Sequence, residues 1–222
     1  MGLKYEEKKK RRHKINVKKV IILLLFLLVI GLLVFGVLKS FKKEKTPDAK
    51  VVDKIKNIGY VVNDNDTKYF KEKFKELKEL LTSKDVDEEA HAKLISELFI
   101  IDFYSLGNKT SKNDVGGVQF VFTDAKKDFI DNARDTMYKL VKNNVDGSKN
   151  DLPIVKEVTV DSIEKVNLVD AFDNADGKLD LEGKEGYKVK LTWTYNKDTK
   201  LQKSATLVIM PDSNKLSVGR LY

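Results

Sequence analysis

The 222-residue chain contains no cysteine, only two histidines, three prolines and one tryptophan. Without cysteine there is no disulfide framework, thiolate metal site, iron–sulfur cluster, thiol nucleophile or lipid-modified thiol. Two histidines leave little material for a metal cluster or a Ser-His-Asp arrangement. His13 lies in a basic tail, and His91 falls on the polar side of an expected helix and reads as a surface residue. Scarce proline and twelve glycines, set against 41% hydrophobic residues, exclude collagen-like and disordered classes. No repeat or low-complexity stretch follows position 45. The length accommodates one ordinary domain with an appendage.

Charge is unevenly spread. The formal net charge is +8, yet residues 1–45 alone carry +10, so residues 46–222 carry −2. The basic residues Lys8, Lys9, Lys10, Arg11, Arg12 and Lys14 dominate a tail over residues 1–19. The remainder has no basic excess with which to neutralise phosphates, so nucleic acid is not an expected partner. Residues 20–38, including Val20, Leu24, Leu28, Leu32, Phe35 and Leu38, are all Val, Ile, Leu or Phe apart from two glycines. As a helix this segment is about 28 Å long, close to the ~30 Å hydrocarbon core of a bilayer. It lacks the polar face of a soluble helix. It also runs into Lys39, Lys42 and Lys43 with no small-residue cleavage site, so an uncleaved anchor is expected rather than a signal peptide. Nine basic residues precede the segment and four follow it in residues 39–45, which predicts a cytoplasmic N-terminus and a C-terminal domain outside the membrane. The tail's cluster also suits anionic headgroups.

Beyond the charged linker at 39–45, Thr46-Pro47-Asp48 has the form of a helix start, and Val51, Val52, Ile55 and Ile58 keep helical spacing up to Gly59. Val61 and Val62 equally suit a strand. A second helix opens at Asp66 or Thr67, with Phe70, Phe74, Leu77 and Leu81 inward. A third begins near residues 85–87, turns Ala90, Leu94, Ile95, Leu98 and Ile101 inward, and ends by Gly107. Its last turns are apolar nearly all round, which places them at the centre of the core. Residues 107–117 read as a polar loop and 118–122 as a short extended piece. Thr123 caps a fourth helix reaching about Asn143, with Phe129, Ala133, Met137, Leu140 and Val141 as its stripe. Strands follow. One covers 154–160, or continues to 169 with a break near Asp161-Ser162. Tyr187, Val189, Leu191, Trp193 and Tyr195 alternate strictly with polar residues. Residues 204–210 and 216–221 form a hairpin around Pro211-Asp212-Ser213-Asn214. The predicted fold class is α+β: one N-terminal transmembrane helix, then a single domain at 46–222 of three to four helices packed on a four-stranded antiparallel sheet.

A basic tail, one membrane helix, three or four helices and then four antiparallel strands resemble the bitopic assembly subunit of type IV secretion and conjugation machines. The resemblance rests on architecture over residues 10–222, and in sequence on the 187–195 strand, the terminal hairpin and the preceding helices. It implies a cone-like domain of the nuclear transport factor 2-like class outside the membrane. No functional residue carries over from it.

Candidate chemistry is sparse. Residues 170–182 are rich in carboxylates, but placing Gly177 at the sixth position of a calcium loop puts Phe172 and Gly183 where carboxylates are required, so a solvated loop is expected. Gly116-Gly117 lacks the Lys-Ser/Thr of a phosphate loop and reads as a turn. Two Asn-x-Thr triplets, at Asn65 and Asn108, carry no inference of modification. Trp193 reads as core, with lining of a cavity under the sheet as the alternative. Asp102, beside Tyr104, is the one buried-looking acid open to a raised pKa, but the expected role is to cap a nearby helix or face outward. No metal, cofactor or catalytic set is predicted. The expected function is non-enzymatic assembly or scaffolding in a bacterial cell-envelope complex, with the bilayer, other envelope proteins and a second copy of the chain as partners. The alternative is a membrane-tethered ligand-binding or enzymatic domain using a cavity between sheet and helices.

Overall fold

The computed structural model describes residues 50–56, 58–142, 151–172 and 180–222. The tail and the apolar segment at 20–38 lie outside the described residues. Among the described residues no helix is long and apolar enough to cross a membrane.

The first helix, α1 (Lys68–Leu81), starts where Thr67 takes extended backbone and its hydroxyl accepts the Phe70 N–H. The second, α2 (Glu88–Tyr104), starts at Asp87, whose carboxylate accepts the N–H groups of Glu89 and Ala90. These side-chain oxygens satisfy donors that a helix leaves open at its first turn. Helix α1 buries Phe70, Phe74 and Leu77 against α2. Leu98, Phe99, Ile100 and Ile101 of α2 are all fully buried, because α1 covers one side of that helix and the sheet the other.

The sheet is an antiparallel meander of β3 (Val155–Asn167), β4 (Glu185–Tyr195), β5 (Ser204–Asp212) and β6 (Lys215–Leu221), paired in that order. The domain is therefore α+β with four α-helices among the described residues. The alternation along β4 holds: Tyr187, Val189, Leu191, Trp193 and Tyr195 are buried, and Lys188, Lys190, Thr192 and Thr194 are exposed. The expected break in β3 is a shift of register between Val160 and Ser162, an insertion that bends the strand without ending it. Strand β5 is covered on both faces. Leu207 and Ile209 join the main core, while Val208 and Met210 meet Leu168, Phe172 and Leu181 in a second small cluster. The short helix α4 (Leu168–Ala171), capped by Asn167, carries part of that cover.

Three local expectations need correction. Residues 46–59 do not make a helix in their described part. Val51–Lys54 is β1, paired antiparallel with β2 (Val61–Asn63). Tyr60 explains why: its buried hydroxyl donates to the carbonyl of Leu216 at 2.6 Å, so a distant strand captures this stretch. The Gln119 side chain completes the hairpin's edge, accepting from Val61 N–H at 2.8 Å and donating to Val61 O at 3.1 Å. Residues 118–122 are not extended throughout. Gly117, at φ +75°, turns the chain into a 3-10 turn at Val118–Phe120, and Val121 bridges Val218 in parallel. Thr123 caps no helix. Its N–H and hydroxyl both donate to Asp212 Oδ2, which also accepts from Ser217. Helix α3 proper runs Lys126–Asp135 and breaks at Thr136, whose hydroxyl turns back onto Asn132 O at 2.6 Å. A 3-10 turn at Met137–Leu140 follows, where Tyr138 is buried and Leu140 exposed.

Candidate functional site

A cleft opens where α3 fails to continue. Helix α2 ends in Phe103 and Tyr104, α3 brings Phe129 and Ala133, and the 3-10 turn after Thr136 brings Met137. Lys200, Leu201 and Gln202, between β4 and β5, close the opposite side, with Leu221 of β6 at one end. The cleft is open to solvent and has a volume of about 470 Å³. A smaller recess of about 240 Å³ shares Phe129, Asn132 and Leu221 and continues along Val218, Gly219 and Arg220. Together they make one groove between α3 and the outer edge of β6.

Its walls are aromatic and preset. The Phe103 and Phe129 rings have centroids 4.9 Å apart, and Phe99 and Phe129 lie 5.8 Å apart. Tyr104 donates to Gln202 Oε1 at 3.0 Å, Gln202 Nε2 donates to Ser204 O at 2.7 Å, and the Tyr195 hydroxyl donates to Gln202 O at 2.8 Å. Gln202 is thereby locked as part of the floor. Burial pushes the Tyr104 phenol well above its ordinary range, so it remains a neutral donor. The polar groups in reach of an occupant are the Asn132 amide, the Thr136 hydroxyl and the Lys200 ammonium, with Asp128 exposed in the adjoining recess. Such a set grips an apolar body and orients its polar end.

No protein-family model, curated protein or solved structure matches this chain.

Apart from Tyr104 and Tyr195, the main titratable groups that burial perturbs lie away from this groove. Lys109 is buried, with Nζ 2.5 Å from Asp102 Oδ1, while Asp102 Oδ2 accepts the Gly117 N–H at 2.7 Å. Burial is the largest single influence and works against the Lys109 ammonium, but Asp102, Tyr138 and Asp114 together with the Asp102 hydrogen bond outweigh it, and the net shift is upward. Asp102 was the acid picked out in the sequence, and it proves to be ion-paired. Gly116 passes so close that a Cβ there would meet Asp102 O at 2.2 Å, and its N–H donates to the Tyr138 hydroxyl. The two glycines are thus the lid of a buried ion pair. The raised carboxyls are Asp66, pushed up to about 6 mainly by burial, and Glu97, also raised by burial although Lys73 stands 3.3 Å away. His91 is not a surface residue. It is only 6% exposed, its Nε2 has no hydrogen-bond partner, and burial pulls its pKa down to about 4.

Trp193 packs in the core against Tyr104, with ring centroids 4.5 Å apart, and the groove lies elsewhere. Residues 173–179 of the acidic loop lie outside the described residues, as do Val20, Leu24, Leu28, Leu32, Phe35, Leu38 and the tail residues Lys8, Lys9, Lys10, Arg11, Arg12 and Lys14. Among the described residues no three His, Asp or Glu side chains converge as metal ligands would. The groove-lining residues Asn132, Thr136, Lys200 and Leu201 carry no advance signal in the sequence, because a break in a helix and an interstrand connection bring them together.

Proposed function

We propose that this chain is a single-pass membrane protein whose external domain is a non-enzymatic assembly or scaffolding module of a bacterial cell-envelope complex, of the kind found in secretion and conjugation machines. The observation that carries the reading is the order of parts. An apolar segment at 20–38 precedes the β1–β2 hairpin, then helices, then a four-stranded antiparallel meander wrapped on α2. A cone-like, nuclear transport factor 2-like domain likewise sets helices before such a sheet, and fold-level likeness raises the expectation without deciding the function. The groove supports binding, since its polar complement holds a partner by amide, hydroxyl and ammonium contacts. In this reading the apolar segment spans the bilayer with the basic tail inside.

Cross-linking in intact membranes, followed by purification and mass spectrometry, tests the reading. Stoichiometric recovery of a defined set of envelope proteins supports it, and recovery of only abundant neighbours overturns it. A second reading, a ligand-binding domain, is favoured specifically by the 470 Å³ cleft and its immobilised Gln202. Co-purification of one small molecule with a partner-free chain would move the assignment there.

A further inference from the structure

We infer that the β1–β2 hairpin is a bilayer contact: Val51 and Val52 rest on the apolar–polar boundary of an anionic phospholipid surface, flanked by Lys50, Lys54 and Lys56. The inference rests on the membrane-anchor reading above and adds to it a second point of attachment.

Strand β1 is exposed along all four of its residues, unlike the half-buried strands of the main sheet. Val52, at 55%, is the most exposed large apolar side chain among the described residues, and Val51 beside it stands at 49%. All four residues of β1 are exposed, so the strand projects from the domain, and a shift of register between Val51 and Asp53 sets Val52 on a bulge. The projection is held firmly. Ile55, Tyr60 and Val62 are buried beneath it, and the Gln119 amide occupies the free edge of β2. A pre-set apolar pair in water is a cost that a fitting surface removes.

The length of chain names the surface. Only twelve residues, 39–50, separate the end of the apolar segment from Val51. Even fully extended they span at most about 45 Å, so β1 stays within reach of the bilayer that holds the anchor. The charges agree. Lys50, Lys54 and Lys56 are exposed and have no ion pair among the described residues, whereas the nearby Asp53 is held by Lys78 at 2.7 Å. Asp64, at the other end of the hairpin, is turned to the Lys50 N–H. Lysine stems lie along an apolar boundary while their ammonium groups reach anionic headgroups.

The absence of native cysteine makes the test direct. The full chain carrying Val52→Cys, labelled with an environment-sensitive fluorophore, is reconstituted in nanodiscs of phosphatidylcholine alone or mixed with phosphatidylglycerol. Lys190→Cys on the exposed face of β4 serves as control. The expected result is a blue shift at position 52 in the anionic discs and quenching by brominated acyl chains. Both should be lost when Lys50, Lys54 and Lys56 are all changed to Gln, and position 190 should respond to neither. A probe at 52 that is no more quenched than one at 190 overturns the inference. So does a blue shift without lipid quenching, which would assign the valines to a protein partner or a second copy. Alkaline extraction of the same samples reports the anchor separately. A retained chain with an unquenched probe sinks this inference alone, and a chain that washes off sinks the anchor reading as well.

Discussion

Lys109 and Asp102 form a pair whose members depend on each other. A buried charge deprived of its partner is far more costly than the pair is beneficial. Lys109→Met should therefore lose about 3–5 kcal/mol in urea unfolding, and adding Asp102→Leu should recover a substantial part, leaving the Gly117 N–H as the residual cost. The buried acids and His91 set the acid response, and they act in opposite directions. The folded His91 takes up its proton only near pH 4, whereas the unfolded chain takes it up near 6.5. Its contribution is intact above pH 6.5 and is lost as pH falls toward 4, by about 3 kcal/mol at most. Asp66 holds its proton up to about pH 6 in the fold but only to about 3.8 when unfolded, so its penalty at neutral pH is relieved over nearly the same window. Urea midpoints at pH 7 and pH 5 should consequently rise on acidification for His91→Met relative to the parent, and fall for Asp66→Asn. The reverse order would refute the assignment. His91 also shows a limit of reading from periodicity. Charges at Glu88, Glu89 and Lys93 mark its helix face as polar, but the packing of tertiary neighbours buries the ring without giving Nε2 a partner.

At the scale of elements, the sequence was most legible where capping and period agree. Thr67 and Asp87 end extended stretches and accept first-turn N–H groups, and each is followed by an apolar stripe that is buried. Thr67→Ala and Asp87→Ala should each cost about 1 kcal/mol by chemical denaturation, without change in the folded state. Strand β4 was equally plain, since a period of two leaves no competing reading. Legibility failed where a local pattern was overruled from a distance. Val51, Val52, Ile55 and Ile58 fit a helix, but Tyr60 and Gln119 bind the segment to parts of the chain far along the sequence. Helix α3 stops early because Thr136 departs to φ −119°, ψ −104°, which lets Tyr138 turn inward to Phe103 O at 2.8 Å. Nothing in the stripe through Met137 and Val141 announces that break. Gln119→Ala should free the β2 edge, and hydrogen exchange at Val61 should quicken by roughly tenfold for the ~1–1.5 kcal/mol of one lost hydrogen bond.

Across the molecule, the consequence of the broken helix is the groove, and with it the assembly reading becomes testable. Leu201 is half-buried at the groove wall and Lys200 is exposed beside it. Leu201→Asp together with Lys200→Glu should reduce recovery of cross-linked partners at least tenfold while moving the melting temperature by only a few degrees, because neither side chain is in the closed core. Equal loss of partner and fold would remove the groove from the argument. The orientation is checked with Asp198→Cys, in the exposed connection between β4 and β5. An impermeant maleimide should label it in intact cells, and protection until lysis would reverse the topology. The α+β order of this domain was readable because its main helices and sheet strands declare their own periods, whereas the groove was not, because it belongs to no element.

Tyr60 reaches across 156 residues to the carbonyl of Leu216. On a ribosome the chain produces its first hairpin long before the strand that receives it exists. The earliest-made part of the domain is thus finished last, and closure of long loops is the slow step in folding. Until β6 arrives, the side chains that the finished fold hides here, Tyr60 and Val62, stay open to proteases and chaperones, so quality control of a nascent copy has a built-in marker of incompleteness at the start of the domain.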